Sequence, residues 1–498
     1  MSDAPPRPWS RLDSLAVVAL TLGSVGLLGR AATALGPTAL EPAALARAAE
    51  VAARHAPGAP LASVTLVERL AGWLAGAPDA SLARFRIGAV LLSATTPAVV
   101  YTLGRGLGRE LALVAALLAL LVPRGLVDGA TLGGEGPVAA LVWAGLLAHL
   151  SSRGRPWRAA LGGALLALAT TASWGVLLVA PALLAHQALA RPPVGRARVA
   201  APTALVAMLV CLPLAFALAR PGLRGDAIGE LLVTAASPSI AAGLWAGSEP
   251  LPDTIPRFHT LVSLLLALPS ATTLLAAAGL ARWWRDERGP SVVSLAVSVL
   301  GAVTLWPLVA PPGLGRFPGH AGLLWPAAAL LAAYGLAAVD RTLRSRWGPE
   351  GHPGRRWVIG AVVLGPAFLS CVIAPVTLSA GVSWVSGGPW RAAHHGPAPL
   401  HDGSAVGALV PSIEAAARSG AGRPVRVWSP DVSPEVWSAL CRHGGLRAEV
   451  RPVDDLAAAD LLVLTGAAVS PDGATRLAQA TRDGQPIVTL YRRSPRSL

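Results

Sequence analysis

Eleven apolar runs dominate this chain, at 14–34, 86–104, 110–123, 136–150, 158–171, 173–189, 199–219, 259–281, 290–310, 321–339 and 357–380. Crossing a bilayer takes roughly 20 apolar residues, and within the hydrocarbon each backbone group must bond inside its own helix or a closed barrel. The runs therefore predict a polytopic α-helical membrane protein of about 11 spans. Several are shorter than a full crossing. The segment 158–189 reads either as two short helices turning at Thr171-Ala172-Ser173-Trp174-Gly175 or as one long tilted helix. The choice between them reverses the direction of everything that follows.

Composition agrees with a membrane chain. Hydrophobic residues make up 53% of the 498 and charged ones only 14%, against about 25% charged in soluble domains, and mean hydropathy is +0.55. The net charge of +14 (41 basic, 27 acidic) would by itself suggest nucleic acid. All the basic residues are arginine, and Lys and Asn are both absent, which we read as a GC-rich coding bias. The arginines fall in a pattern that excludes a nucleic-acid partner. With the N-terminus (Arg7, Arg11) inside and 158–189 a hairpin, the short inside loops are all basic: Arg105 and Arg109; Arg153, Arg155 and Arg158; Arg191, Arg196 and Arg198; Arg282, Arg285 and Arg288; and Arg341 to Arg356. That is the asymmetry of cytoplasmic loops, and those arginines suit anionic lipid headgroups. The opposite loops are mixed in sign, with Glu41, Glu50, Glu68, Asp79, Asp128, Glu135, Asp226, Glu230, Glu249 and Asp253.

The basic start, apolar run and Ala32-Thr33-Ala34 also resemble a signal peptide. With ten further spans the expectation is an uncleaved signal anchor. Cys211, Cys371 and Cys441 imply no disulfide framework.

The expected organisation is a transmembrane domain over 1–382 and an α/β domain over 383–498 on the outer face. Within the first, 35–85 is a large outer loop with interfacial helices, and 220–258 is a second outer loop punctuated by Pro238, Pro250, Pro252 and Pro256. In the tail, strands are expected at 425–428, 448–451, 461–465 and 487–491, and helices at 404–419, 433–443 and 472–482, giving a small, mostly parallel sheet.

Metal clusters, phosphate-cradling loops and nucleophile elbows are missing from the sequence. Gly104-Arg105-Gly106-Leu107-Gly108 follows no strand, so it is a turn and not a dinucleotide fingerprint. His394, His395 and His401 read as loop histidines. The outer-face charges carry more information. A carboxylate at the membrane surface (Glu41, Asp128 or Glu135) can act as general base on an acceptor hydroxyl, or it can simply start a helix. Arg316, between Pro311-Pro312-Gly313-Leu314-Gly315 and Phe317-Pro318-Gly319-His320, runs against the positive-inside bias. A guanidinium there can clamp a phosphate. Arg257, with His259 at the mouth of the eighth span, is a second candidate, and Arg86 and His320 are further ones.

In order along the chain, these pieces resemble the GT-C class of membrane glycosyltransferases, in particular the protein-mannosyltransferase and aminoarabinose-transferase type (family 39). The resemblance is carried by Leu40-Glu41 before an interfacial helix, by Arg86-Ile87-Gly88-Ala89-Val90-Leu91 with Tyr101-Thr102-Leu103-Gly104-Arg105, and by Glu135-Gly136-Pro137. Leu161 to Pro181, Arg316-Phe317 through Trp325-Pro326, and the tail segments 384–390 and 483–493 add to it. The resemblance implies a polyprenyl-phosphate sugar as donor, an acceptor lipid, glycan or protein on the periplasmic face of a bacterial inner membrane, and no cofactor, with a divalent metal left open. By position it implies Glu41 as base, Glu135 as second acidic group and Arg316 as phosphate clamp. The chain departs from the family at Leu40, where an Asp is usual, at Glu135, which replaces an Asp, and at Ser173, where a Lys is usual. The alternative expectation is therefore a catalytically degenerate GT-C-like scaffold or partner subunit. A transporter or envelope-polysaccharide assembly protein is disfavoured, since the spans are nearly free of charge and show no repeat.

Overall fold

A computed structural model describes residues 8–38, 41–53, 65–132, 135–152, 155–189, 200–219, 268–286, 289–309, 321–347, 364–365, 368, 404–419, 423–430, 432–465, 473–482 and 485–493. Helix α1 (Arg11–Ala34) opens with a capping box, in which Ser10 accepts from Asp13 N and the Asp13 carboxylate accepts from Ser10 N. Asp13 is fully buried and also receives Tyr101 OH (2.8 Å), Arg105 (3.2 Å) and Arg109 (3.0 Å). It ties the start of α1 to α5 (Thr96–Gly104) and α6 (Arg109–Leu120).

The far end of α1 is tied to α4 (Leu82–Ser93), which is followed by α5 within one apolar stretch, Leu82–Leu107. There Arg86 donates to Ala32 O and Leu35 O, both at 2.8 Å. Asp13 and Ala32 are 19 residues apart on α1, about 28 Å of helix. That spacing matches the ~30 Å of bilayer hydrocarbon, so two ionic clusters bracket a membrane's thickness. Between α1 and α4 lie α2 (Glu41–Ala53) and α3 (Leu66–Ala75), which pack against each other. Helix α3 buries Val67, Ala71 and Ala75 and exposes Trp73, the amphipathic habit of an interfacial helix. Trp9, Trp157 and Trp284 are exposed beside the arginine-bearing turns, as an aromatic belt requires.

The remaining helices follow the apolar runs: α7 (Pro123–Ala130), α8 (Gly136–Leu150), α9 (Pro156–Thr170), α10 (Val179–Leu189), α11 (Ala200–Ala219), α12 (Ser270–Arg285), α13 (Ser291–Val309) and α14 (Ala321–Trp347). Among the described residues, three helices are long and apolar enough to cross a membrane, and four shorter apolar ones accompany them. Most of 357–380 and all of 220–258 lie outside the described residues.

Segment 158–189 is two helices. Helix α9 stops at Thr170, and a 3-10 turn, Trp174–Leu178, leads into α10. Arg158 bonds Ser151 O (3.1 Å), so α9 starts beside the end of α8. The rings of His186, late in α10, and His149, late in α8, meet edge-on at 6.2 Å. The chain has therefore gone out and returned.

Small residues set the tightest crossings. A Cβ on Gly335 of α14 would fall on Leu275 O of α12, and one on Gly279 would fall on Leu331 O. In a membrane such close backbone approach is what drives helix association. Gly335→Ala is expected to lose about 1–3 kcal/mol by overpacking, read by unfolding in detergent. Gly26→Ala on α1, where a Cβ meets nothing within 4 Å, is the control expected to lose nothing.

The tail contains a 3-10 turn (Ser404–Leu409), α15 (Val410–Arg418), α16 (Pro434–Arg442) and strands β1 (Val425–Trp428), β2 (Val450–Pro452), β3 (Leu461–Thr465), β4 (Ala474–Arg482) and β5 (Gln485–Arg493). The sheet order is β2-β1-β3-β5-β4. β1 runs parallel to β2 and β3, whereas β5 is antiparallel to β3 and β4. The sheet is thus mixed, which corrects the mostly parallel expectation. The expected helix at 472–482 is instead the edge strand β4, held by pairing with β5. Val406, Ile413, Val427, Trp437, Leu440, Val463 and Leu490 share the tail's core. The tail docks where α4 begins: His443 O accepts from Leu82 N (2.8 Å), its ring bonds Ala80 O (3.0 Å), and the ring meets Phe85 edge-on.

Candidate functional site

Four segments converge at the Arg86 end of the helices: the turn after α1, the start of α4, the residues after α7 (Thr131 and Leu132) with Glu135 before α8, and the start of α14. Glu41 and Arg86 join the first three. Both side chains are fully buried and form an ion pair at 2.5 Å. Arg86 uses all its donors: Nε and Nη2 go to the Glu41 oxygens, Nη1 to Ala32 O and Leu35 O, and Nη2 also to Gly36 O. The three carbonyls lie at or just past the C-terminus of α1, where intrahelical partners run out and a cation is favoured. The Glu41 carboxylate receives, besides Arg86, Thr38 N (2.9 Å) and Leu132 N (2.9 Å).

Each oxygen of Glu41 therefore accepts two hydrogen bonds, which fills a carboxylate's capacity. A general base needs a lone pair directed at the proton it removes. Glu41 has none to spare and does not face solvent. Glu41, the expected base, is thus held in a buried ion pair and joins the turn after α1 to Leu132. Arg86 likewise has no donor left for a phosphate.

Glu135 stands differently. It is half-buried at the start of α8, and its Oε2 accepts from Gly322 N at the start of α14. An anion there complements the positive end of a 27-residue helix. The fit depends on glycine, because a Cβ at position 322 would lie 2.7 Å from Glu135 Cβ. A Cβ on Gly136 would overlap Gly129 of α7, so α7 and α8 meet backbone to backbone. Trp143 Nε1 donates to Leu323 O (3.2 Å) and fastens α8 to α14 one residue further on.

Asp128 is buried on α7. Arg316, His320 and Arg257 lie outside the described residues, as do His394, His395 and His401. Among the described residues, no group of three or more His, Cys, Asp or Glu side chains could hold a metal ion. The structure thus brings Glu41, Arg86 and Glu135 to one end of the helices, with Leu132 bonded to Glu41 and Glu135 three positions further on. Sequence reasoning did not find Gly322 or Leu132, whose roles come from backbone N–H groups. Arg86 did carry a signal, as an arginine inside an apolar run that requires a buried anion or carbonyls.

No family model matches the chain, and no curated protein does. Two solved structures are similar to it in layout. Against ArnT from Cupriavidus metallidurans bound to undecaprenyl phosphate, identity is 14% and the TM-score 0.47, covering 95% of this chain and 97% of that one. Against the Archaeoglobus fulgidus oligosaccharyltransferase in complex with Zn and sulfate, identity is 14% and the TM-score 0.45, covering 90% of this chain and 68% of that one. At such identity the likeness concerns layout, and neither the lipid of the one nor the zinc of the other is thereby placed in this chain.

Proposed function

We propose that this chain is a membrane glycosyltransferase that moves a sugar from a polyprenyl-phosphate donor to an acceptor hydroxyl at the Arg86 end of its helices. The basic inside loops support assigning that end to the extracytoplasmic face of a bacterial inner membrane. The observation that carries the reading is the convergence at Glu135: a half-buried carboxylate held against the start of α14, the helix that follows Arg316 in sequence. Gly322 is six positions after Arg316, a reach of at most about 20 Å. In the reaction the acceptor oxygen bonds the anomeric carbon, the bond from that carbon to the lipid phosphate oxygen breaks, and the acceptor proton passes to a carboxylate. We assign that carboxylate to Glu135, with Asp128 as the second candidate. Arg316, with Arg257 and His320, is assigned to the leaving phosphate, where fixed cations stabilise developing charge.

A second reading, a degenerate scaffold, is favoured by one observation: the first-loop carboxylate is consumed by Arg86. One experiment separates the two. Purified protein in liposomes is offered a panel of radiolabelled polyprenyl-phosphate sugars with envelope lipids and glycans as acceptors. Transfer is expected, and Arg316→Ala is expected to lower it by about 10²–10³-fold. Folded protein that transfers from no donor in the panel supports the scaffold.

A further inference from the structure

An open hollow of about 410 Å³ lies where the tail meets the helices, lined by Asp79 and Ser81 on one side and by Cys441, Arg442, His443, Arg447 and Glu449 on the other. Its volume falls in the range of small-molecule sites, roughly 300–1,000 Å³. The two walls belong to different parts of the chain. Ser81 precedes α4 directly, and the opposite wall is the turn after α16, where Gly445 takes a left-handed φ of 79°. His443 couples the walls through Ala80, Leu82 and Phe85. Phe85 is the neighbour of Arg86, so the cavity sits about one and a half helical turns, ~7 Å, from the buried ion pair.

The lining specifies a ligand class. The lining holds two arginines (Arg442, Arg447) and two carboxylates (Asp79, Glu449), so its formal charges sum to zero and it favours neither an anion nor a cation by net charge. The two carboxylates and two guanidiniums instead line one hollow with acceptors and donors together, the complement of adjacent hydroxyl groups. Arg447 is also restrained, since its backbone N–H donates to Glu414 (2.8 Å).

We infer that this cavity is a carbohydrate subsite, holding the sugar end of the acceptor beside the transfer site. The inference rests on the proposed transferase reading for its purpose but not for its test. Cys441 supplies the probe. It is one of three cysteines, and burial pushes its thiol up, so its reaction with N-ethylmaleimide reports access to the cavity. The full chain carrying Cys211→Ser and Cys371→Ser is labelled in detergent with and without methyl α-mannopyranoside, methyl β-galactopyranoside or methyl α-arabinofuranoside, and separately with inorganic phosphate.

At least one glycoside is expected to slow Cys441 labelling saturably, by about tenfold at ten times its half-saturating concentration. Arg447→Ala and Asp79→Asn, both at exposed positions, are expected to abolish that protection while the sugar-free labelling rate and unfolding temperature stay unchanged. The inference is overturned if no glycoside protects, if phosphate protects as well as the sugars, or if both variants retain full protection. Protection without transfer from any donor keeps this subsite and removes the transferase reading. Transfer without protection does the reverse.

Discussion

Arg86→Met is expected to remove about 3–5 kcal/mol of stability, the cost of leaving a buried partner charge uncompensated. The loss has two sources. Glu41 would keep its charge in a site with no solvent. Ala32, Leu35 and Gly36 would lose the donor that satisfies their carbonyls, each unmade bond adding roughly 1–3 kcal/mol before relaxation. Arg86→Lys is expected to recover little, because a point ammonium cannot reach two carboxylate oxygens and three carbonyls at once. The double variant Glu41→Met/Arg86→Met should lose less than the sum of the single losses, since a buried pair replaced by apolar groups of similar volume is often nearly neutral. Unfolding of the wild type, Arg86→Met, Glu41→Met, the double variant and Arg86→Lys in one detergent measures this. Additive losses would mean that the two side chains do not act as a pair.

Glu135→Gln is expected to lower kcat/KM for sugar transfer by about 10²–10⁴-fold, the usual contribution of a positioned general base. The fold should survive, because the amide oxygen of Gln still accepts from Gly322 N. Glu41→Gln should behave in the opposite way. It leaves Arg86 short of a counter-charge, so the yield of folded protein falls, while the folded fraction transfers nearly as before. If Glu41→Gln instead abolishes transfer in protein of unchanged stability, Glu41 is restored as the base and Glu135 becomes the clasp. Gly322→Ala gives an independent check. Its Cβ would press on Glu135 at 2.7 Å, and a displacement of about 1 Å costs on the order of 10²-fold in a positioned reaction.

Much of the architecture could be read from residue order. The apolar runs from 14–34 to 321–339 correspond to helices over most of their described residues, and β3 is legible because Leu461–Thr465 is apolar throughout and buried throughout. The 158–189 ambiguity was settled by two histidines, one on each of two distant helices, whose ring contact no periodicity reveals. Strand β4 misled for a physical reason. Its Ala, Leu, Gln and Arg favour helix by intrinsic propensity, and only pairing with β5 overrides that preference. The site was legible as a set of residues but not as a set of roles. Glu41 followed by Pro42 looks like any helix start. That its carboxylate is filled by an arginine 45 residues on and an amide 91 residues on follows from tertiary placement alone. Glu135 shows the same limit, since its partner is a backbone N–H 187 residues away.

The bond from Leu82 N to His443 O has a consequence for biosynthesis. Helices of a polytopic chain are handed to the bilayer in order as they leave the ribosome, but the second long apolar stretch acquires the backbone partner of its first residue only when residue 443 of 498 has been made. Until then its first turn, one residue from Arg86, has a donor that only water can satisfy. Completion of the C-terminus is thus the last act in seating a segment translated near the beginning, and a message truncated before that codon would yield a membrane-embedded chain with its opening hairpin unfinished.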